Sequence, residues 1–365
     1  MSDAGPGPPG PAPDTARPGA PAERRGVVVL LAAVAVLVAA VGAVVAVRAA
    51  EGDEPAAAAT NEAPVVTGFP RDVTAYEGLG AWIDVFDYAP AYAPDGIPVL
   101  TPADVPALAA HGVRTLYLQA ARLDDRTPGG LVDPPLVGAF VEAAHAEGLR
   151  VVAWYLPKFS DLDADLLRLQ LLHAFRHGEH RFDGLAVDIE FTEGVADPVE
   201  RSRRLVELSQ RARTLVGAEA LGAIVLPPVL TEVVNPAFWP GLPWGELAGL
   251  YDVWLPMAYW TDRRADSGYR HGATYVEESV RRLRANLGRP DALVHPVGGI
   301  GDALTEDQLR DYLGALVATR AIGGSIYDAR TTSSGGWAIL RAGVPAATAP
   351  AVLAGAGAAP TGPAS

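Results

Sequence analysis

Phe182-Asp183-Gly184-Leu185-Ala186-Val187-Asp188-Ile189-Glu190 is apolar nearly throughout and ends in two carboxylates. On a β-strand, successive side chains point to opposite faces, so residues two apart share a side. Gly184, Ala186, Asp188 and Glu190 then face one way, and Leu185, Val187 and Ile189 the other. The first set is small and then acidic; the second is bulky and aliphatic. That division suits a parallel strand with its aliphatic face against helices and its other face turned into a barrel lumen. Carboxylates at the carboxyl end of such a strand lie where barrel enzymes do their chemistry.

Outward from this stretch, strand-like and helix-like patterns alternate. Strands are predicted over Gly80–Tyr88, Val113–Ala120 and Arg150–Leu156 before it, and over Leu221–Leu226, Tyr251–Tyr259, Ala292–Val297 and Gly323–Tyr327 after it. Thr101-Pro102-Ala103-Asp104 opens a helix, with Thr as N-cap and Pro in the first turn. Asp133-Pro134 caps another, whose apolar stripe is Leu136, Val137, Phe140, Val141 and Ala144. Ser160 or Asp161 begins a leucine-rich helix to about His177. Asp197-Pro198-Val199-Glu200 reads as a capping box before a helix to Val216, and Thr305–Gln308 as a second box. Gly336–Arg341 starts a last short helix. Eight strands alternating with eight helical stretches predict an α/β fold, a (β/α)8 TIM barrel over residues 79–343. A doubly wound sheet would want a glycine-rich phosphate loop after the first strand, and there is none. The glycines of His295-Pro296-Val297-Gly298-Gly299-Ile300-Gly301 read as a turn.

The amino terminus has a different character. Residues 1–25 are rich in Pro, Gly and Ala and predict a disordered cytoplasmic leader. Residues 26–48 contain the apolar run Gly26–Val47, long enough to cross a bilayer as a single transmembrane helix. Arg17, Arg24 and Arg25 precede it, and Glu51, Asp53 and Glu54 follow, which places the amino terminus in the cytoplasm and the barrel outside. A signal peptide cleaved near Ala46–Ala50 is the rival, and would give a secreted protein. The length of the run and its proline-rich leader favour an uncleaved membrane anchor. Residues 49–78 read as a flexible linker and 344–365 as a disordered tail. The chain carries 29 basic and 43 acidic residues, a formal charge of −14 that argues against nucleic acid as partner. It has no cysteine, hence no disulfide, thiolate metal site or cysteine nucleophile.

The loops after the strands carry the candidate chemistry. Strand one ends in Asp84, Phe86, Asp87 and Tyr88; strand two brings Gln119, and strand three Trp154 and Tyr155. A long loop after strand five brings Glu232, Asn235, Phe238, Trp239 and Trp244. Met257 and Tyr259 end strand six, with Trp260 and Asp262 behind them; strand eight ends in Tyr327 and Asp328, with Trp337 close behind. Carboxylates among Trp and Tyr suit a sugar cleft, because sugars present hydroxyls to acids and C–H faces to rings. Breaking a glycosidic bond needs an acid still protonated near neutral pH. A neighbouring carboxylate and partial burial both push Glu190 that way. No His lies near the pair and no acidic cluster has metal-loop spacing, so neither metal nor cofactor is expected.

Asp183-Gly184-Leu185-Ala186-Val187-Asp188-Ile189-Glu190 resembles the strand-four signature of family 18, the chitinase-like glycosidases, which reads Asp-Gly-apolar-Asp-apolar-Asp-x-Glu. Met257-Ala258-Tyr259 resembles that family's Met-x-Tyr on strand six. The resemblance implies that Glu190 is the proton donor. It further implies that Asp188 positions the substrate's N-acetyl group, and that Tyr259 holds the carbonyl whose oxygen attacks the anomeric carbon, an exception to the two-carboxylate rule. Two departures stand out. The signature's middle Asp is Ala186, and the family's strand-eight Trp is Tyr327, with Trp337 as a substitute nearby. Gly80–Tyr88 with its strand-end acids is also similar to the lysozyme-like family 25 barrels.

These readings converge on a membrane-anchored, extracytoplasmic glycoside hydrolase. Glu190, Asp188 and Tyr259 would be catalytic; Asp84, Asp87, Gln119, Trp154, Tyr155, Met257, Trp260, Asp262, Tyr327 and Trp337 would bind substrate. The expected partners are a peptidoglycan or N-acetylhexosamine glycan and the membrane. The alternatives are a glycan-binding barrel with little or no turnover, which Ala186 favours, and a structural envelope protein.

Overall fold

The computed structural model describes residues 71–345. The predicted leader, the anchor helix, the linker up to residue 70 and the tail from residue 346 lie outside the described residues. Among the described residues no helix is long and apolar enough to cross a membrane.

Nine strands form one wholly parallel sheet: β1 Gly78–Ile83, β2 Thr115–Gln119, β3 Arg150–Tyr155, β4 Gly184–Ile189, β5 Leu221–Val225, β6 Val253–Pro256, β7 Leu293–Val294, β8 Val297–Ile300 and β9 Gly323–Tyr327. Their order is β7-β6-β5-β4-β3-β2-β1-β9-β8. The two ends of that line are consecutive in sequence. His295-Pro296 divides the seventh predicted strand: its first half pairs with β6 and its second with β9. The His295 N–H still donates to Trp254 O at 2.9 Å, and a parallel bridge joins Met257 to Val297. Proline has no N–H to give a ladder, which accounts for the break at that point. The sheet thus curls until its ends are halves of one stave.

Local chemistry sets most element boundaries. The predicted first strand stops at Ile83 because Asp84 caps a four-residue helix, Val85–Tyr88, its Oδ1 accepting from Phe86 N–H at 2.7 Å. Thr305 with Gln308 forms a capping box as predicted, and Thr101, read from sequence only as an N-cap, forms a second one with Asp104. Asp197 caps Pro198–Val216 alone; Glu200 instead pairs with Arg203 at 2.8 Å and Arg204 at 2.6 Å. No long helix separates β5 from β6. Prolines 227, 228, 236, 240 and 243 leave only the turn Val229–Val234 and the short helix Trp244–Leu247.

The lumen is filled in layers. At its amino end Tyr76 lies against β4 and β5, donating its hydroxyl to Leu185 O at 2.6 Å. A Cβ on Gly184 or Gly222 would stand 2.9 or 2.8 Å from that ring or its hydroxyl, so both positions need glycine. Above it Trp82 stacks on Tyr117 at 4.4 Å and donates to Ser325 Oγ at 2.8 Å. Gly184, and with it the even-numbered face of β4, is therefore turned inward. Above these layers the strands end in acids.

Candidate active site

Asp188 lies in β4 and Glu190 just past its end, on the lumen side. Asp188 is 4% exposed and its Oδ1 has no hydrogen-bond partner, since Ala186 offers none. Burial, then the charge of Glu190, holds its carboxyl far above the ordinary range. Glu190 is half-buried, and desolvation pushes it up to about 7. Tyr259 is half-buried and near enough to both that burial, then the charges of Glu190 and Asp188, raises its phenol. These three predicted residues are brought together.

A second group stands at the ends of β1 and β9. The Tyr327 hydroxyl donates to Asp84 Oδ2 at 2.7 Å, and the Tyr327 ring meets Tyr259 at 5.7 Å, joining the two groups. Carboxylate oxygens of Asp84, Asp87 and Asp328 lie within 4.8 Å of one another. Asp87 is 2% exposed; its Oδ1 is 2.9 Å from Arg330 Nε and its Oδ2 is unpartnered. Burial, with Asp84 and Asp328 adding to it, pushes Asp87 up to about 8 against the pull of Arg330. Among the described residues this is the one set of three acids close enough to share an ion. Arg330 already supplies it with one positive charge. Sequence reading names Asp328 among the strand-end residues without choosing it as a substrate contact and passes over Arg330, although both sit in the turn that follows β9.

The other predicted substrate contacts divide. Trp154 packs in the lumen 6.0 Å from Trp82. Gln119 is buried, its Oε1 accepting from Val85 N–H at 3.3 Å, so it braces the turn that carries Asp84 and Asp87. Met257 is buried at the bridge to Val297, and Asp262 is exposed on the turn Trp260–Asp262. Three residues lie elsewhere. Tyr155 is on the helix face of β3, donating to Asp165 Oδ1 at 2.6 Å. Trp260 is fully buried beside Tyr312, and Trp337 stacks on His111 near the amino end of β2. Trp337 is thus no substitute for a strand-eight tryptophan; Tyr327 occupies that position. Trp239 packs under Arg201 and Trp244 against Trp254, away from the acids. An aromatic in a loop sequence gives no sign of whether it turns inward or outward.

Neither a protein-family model nor a curated protein matches this sequence. Solved structures do share the fold. The spore cortex-lytic enzyme SleL of Bacillus megaterium superposes with a TM-score of 0.53 at 8% identity, over 73% of this chain and 74% of that one. A class V chitinase of Pseudomonas fluorescens gives 0.52 at 10% identity, over 73% and 99%. An endo-β-1,4-mannanase of Thermotoga petrophila gives 0.51 at 10%, over 74% and 76%. Glycoside hydrolases of several kinds thus share this curled parallel sheet, and the fold is glycosidase-like.

Proposed function

We propose that the protein is a glycoside hydrolase acting on an N-acetylhexosamine glycan, with Glu190 as general acid. The observation that carries this reading is the pair of buried Asp188 and half-buried Glu190 at the carboxyl end of β4, in no ion pair among the described residues and close enough to Tyr259 for their charges to raise its phenol. An acid pushed up to about 7 keeps its proton near neutrality and gives it to the leaving oxygen. Asp188, with a free Oδ1, accepts the N–H of the substrate's N-acetyl group; Tyr259 donates to that group's carbonyl, whose oxygen attacks the anomeric carbon. Water then opens the cyclic intermediate and returns its proton to Glu190. The anchor at residues 26–48 would hold this chemistry at the outer surface of the membrane, on a cell-wall or other extracellular glycan.

The test is product formation from N-acetylhexosamine oligomers and peptidoglycan fragments, read by mass, for the full-length chain beside Glu190→Gln. Cleavage by wild type alone is the expected result; equal cleavage by the variant would sink the assignment. A second reading rests on Ala186, which leaves Asp188 Oδ1 without the carboxyl neighbour that the family 18 signature supplies. In that reading the barrel binds glycan without turnover, and both proteins bind while neither cleaves.

A further inference from the structure

The turn after β1 and the loop after β2 form one rim of the same strand-end face, stitched by a hydrogen bond between the Tyr92 hydroxyl and Thr127 Oγ1. Phe86, two residues past Asp84, is 40% exposed, the one Phe, Tyr or Trp among the described residues left that far in water. It meets Tyr92 edge-on at 6.0 Å. The guanidinium of Arg122 lies 5.3 Å from the centre of the Phe86 ring and 5.4 Å from that of Tyr92. Two other cations near this face are already engaged: Arg126 grips Asp124 through Nε at 2.9 Å and Nη2 at 3.0 Å, and Arg330 grips Asp87. The guanidinium of Arg122 makes no ion pair and donates no hydrogen bond within the described residues. In a chain of formal charge −14, a half-buried arginine whose guanidinium donates to no carboxylate, the nearby Asp124 being held by Arg126, is an unused planar fork.

We infer that Phe86 and Arg122 form an outer sugar subsite that selects a glycan bearing a carboxylate, the ring stacking on the sugar's C–H face while the guanidinium takes the carboxylate. This rests on the glycan reading above and narrows its substrate class. A guanidinium–carboxylate hydrogen bond gives discrimination that a neutral hydroxyl does not.

The test compares N-acetylhexosamine oligomers carrying a lactyl carboxylate with the same oligomers amidated at that group. Binding and kcat/KM are measured for wild type, Arg122→Gln and Arg122→Lys of the full-length chain. Wild type should prefer the free carboxylate by roughly tenfold or more, with a preference that shrinks as salt rises. Arg122→Gln should bring the ratio close to one, and Arg122→Lys should restore part of it. A wild type that cleaves both forms equally overturns this inference and keeps the hydrolase. A wild type that binds the free acid selectively yet cleaves neither keeps the inference and overturns the hydrolase. Binding of neither form overturns the subsite.

Discussion

The two ends of the curled sheet use the same residue type in opposite ways. At the amino end, Asp183 just before β4 receives His145 Nε2 at 2.9 Å, Arg150 Nη1 at 3.0 Å and the Val151 N–H at 2.8 Å. Asp252 just before β6 receives Arg71 Nη1 at 2.9 Å, Arg213 Nη1 at 2.7 Å and the Leu221 N–H at 2.9 Å. Every oxygen is used and the strands are clamped to their neighbours. Five residues on from Asp183, Asp188 has an oxygen with no partner, and Asp87 across the lumen has another. Acids left unsatisfied in a buried place cost stability. The proposed function puts chemistry at the end where they collect, while the partnered acids hold the fold at the other.

The largest expected break in this contrast is Glu190→Gln. It should lower turnover by about 10²- to 10⁴-fold with little change in the thermal midpoint, measured by product mass and calorimetry. Asp252→Ala should do the reverse, lowering stability by about 2 kcal/mol while leaving the specific activity of the folded protein intact. A denaturant titration beside an activity assay separates the two outcomes.

A smaller effect concerns pH. The carboxyls of Asp87, Asp188, Glu190 and Asp328 are raised, so the folded state binds protons that the unfolded chain has released. Stability from Asp87 is therefore fully present in acid and is lost as pH rises through the window that ends at about 8. Asp87→Asn should flatten the fall in thermal midpoint across that window. Activity should decline as pH rises past about 7, where Glu190 gives up its proton. The smallest effect is that of Tyr327→Phe, which removes the hydroxyl bond to Asp84 Oδ2. It should raise KM by about fivefold with kcat nearly unchanged, the loss of one hydrogen bond. A fall in kcat instead would place that hydroxyl at the reacting bond.

Much of this was legible in the chain itself. The period-two division of residues 184–190 set the lumen face of β4, and the Thr, Asp and Pro signals placed most helix starts within a residue or two, because both depend on neighbours in sequence. The pairing of Asp188 with Glu190 follows from spacing alone. Asp84 and Asp87 were visible as strand-end acids, but their union with Asp328 and Arg330 was not, since β1 and β9 stand at opposite ends of the chain and meet only when the sheet curls. The orientations of Tyr155, Trp260 and Trp337 were equally out of reach, because whether an aromatic enters the core depends on what packs opposite it. The sequence by itself determined which residues lie on a common strand face or begin a helix, for those are local constraints of backbone geometry. Only the tertiary structure decided which acids find a cation and which are left without one, for that depends on side chains brought together from distant parts of the chain.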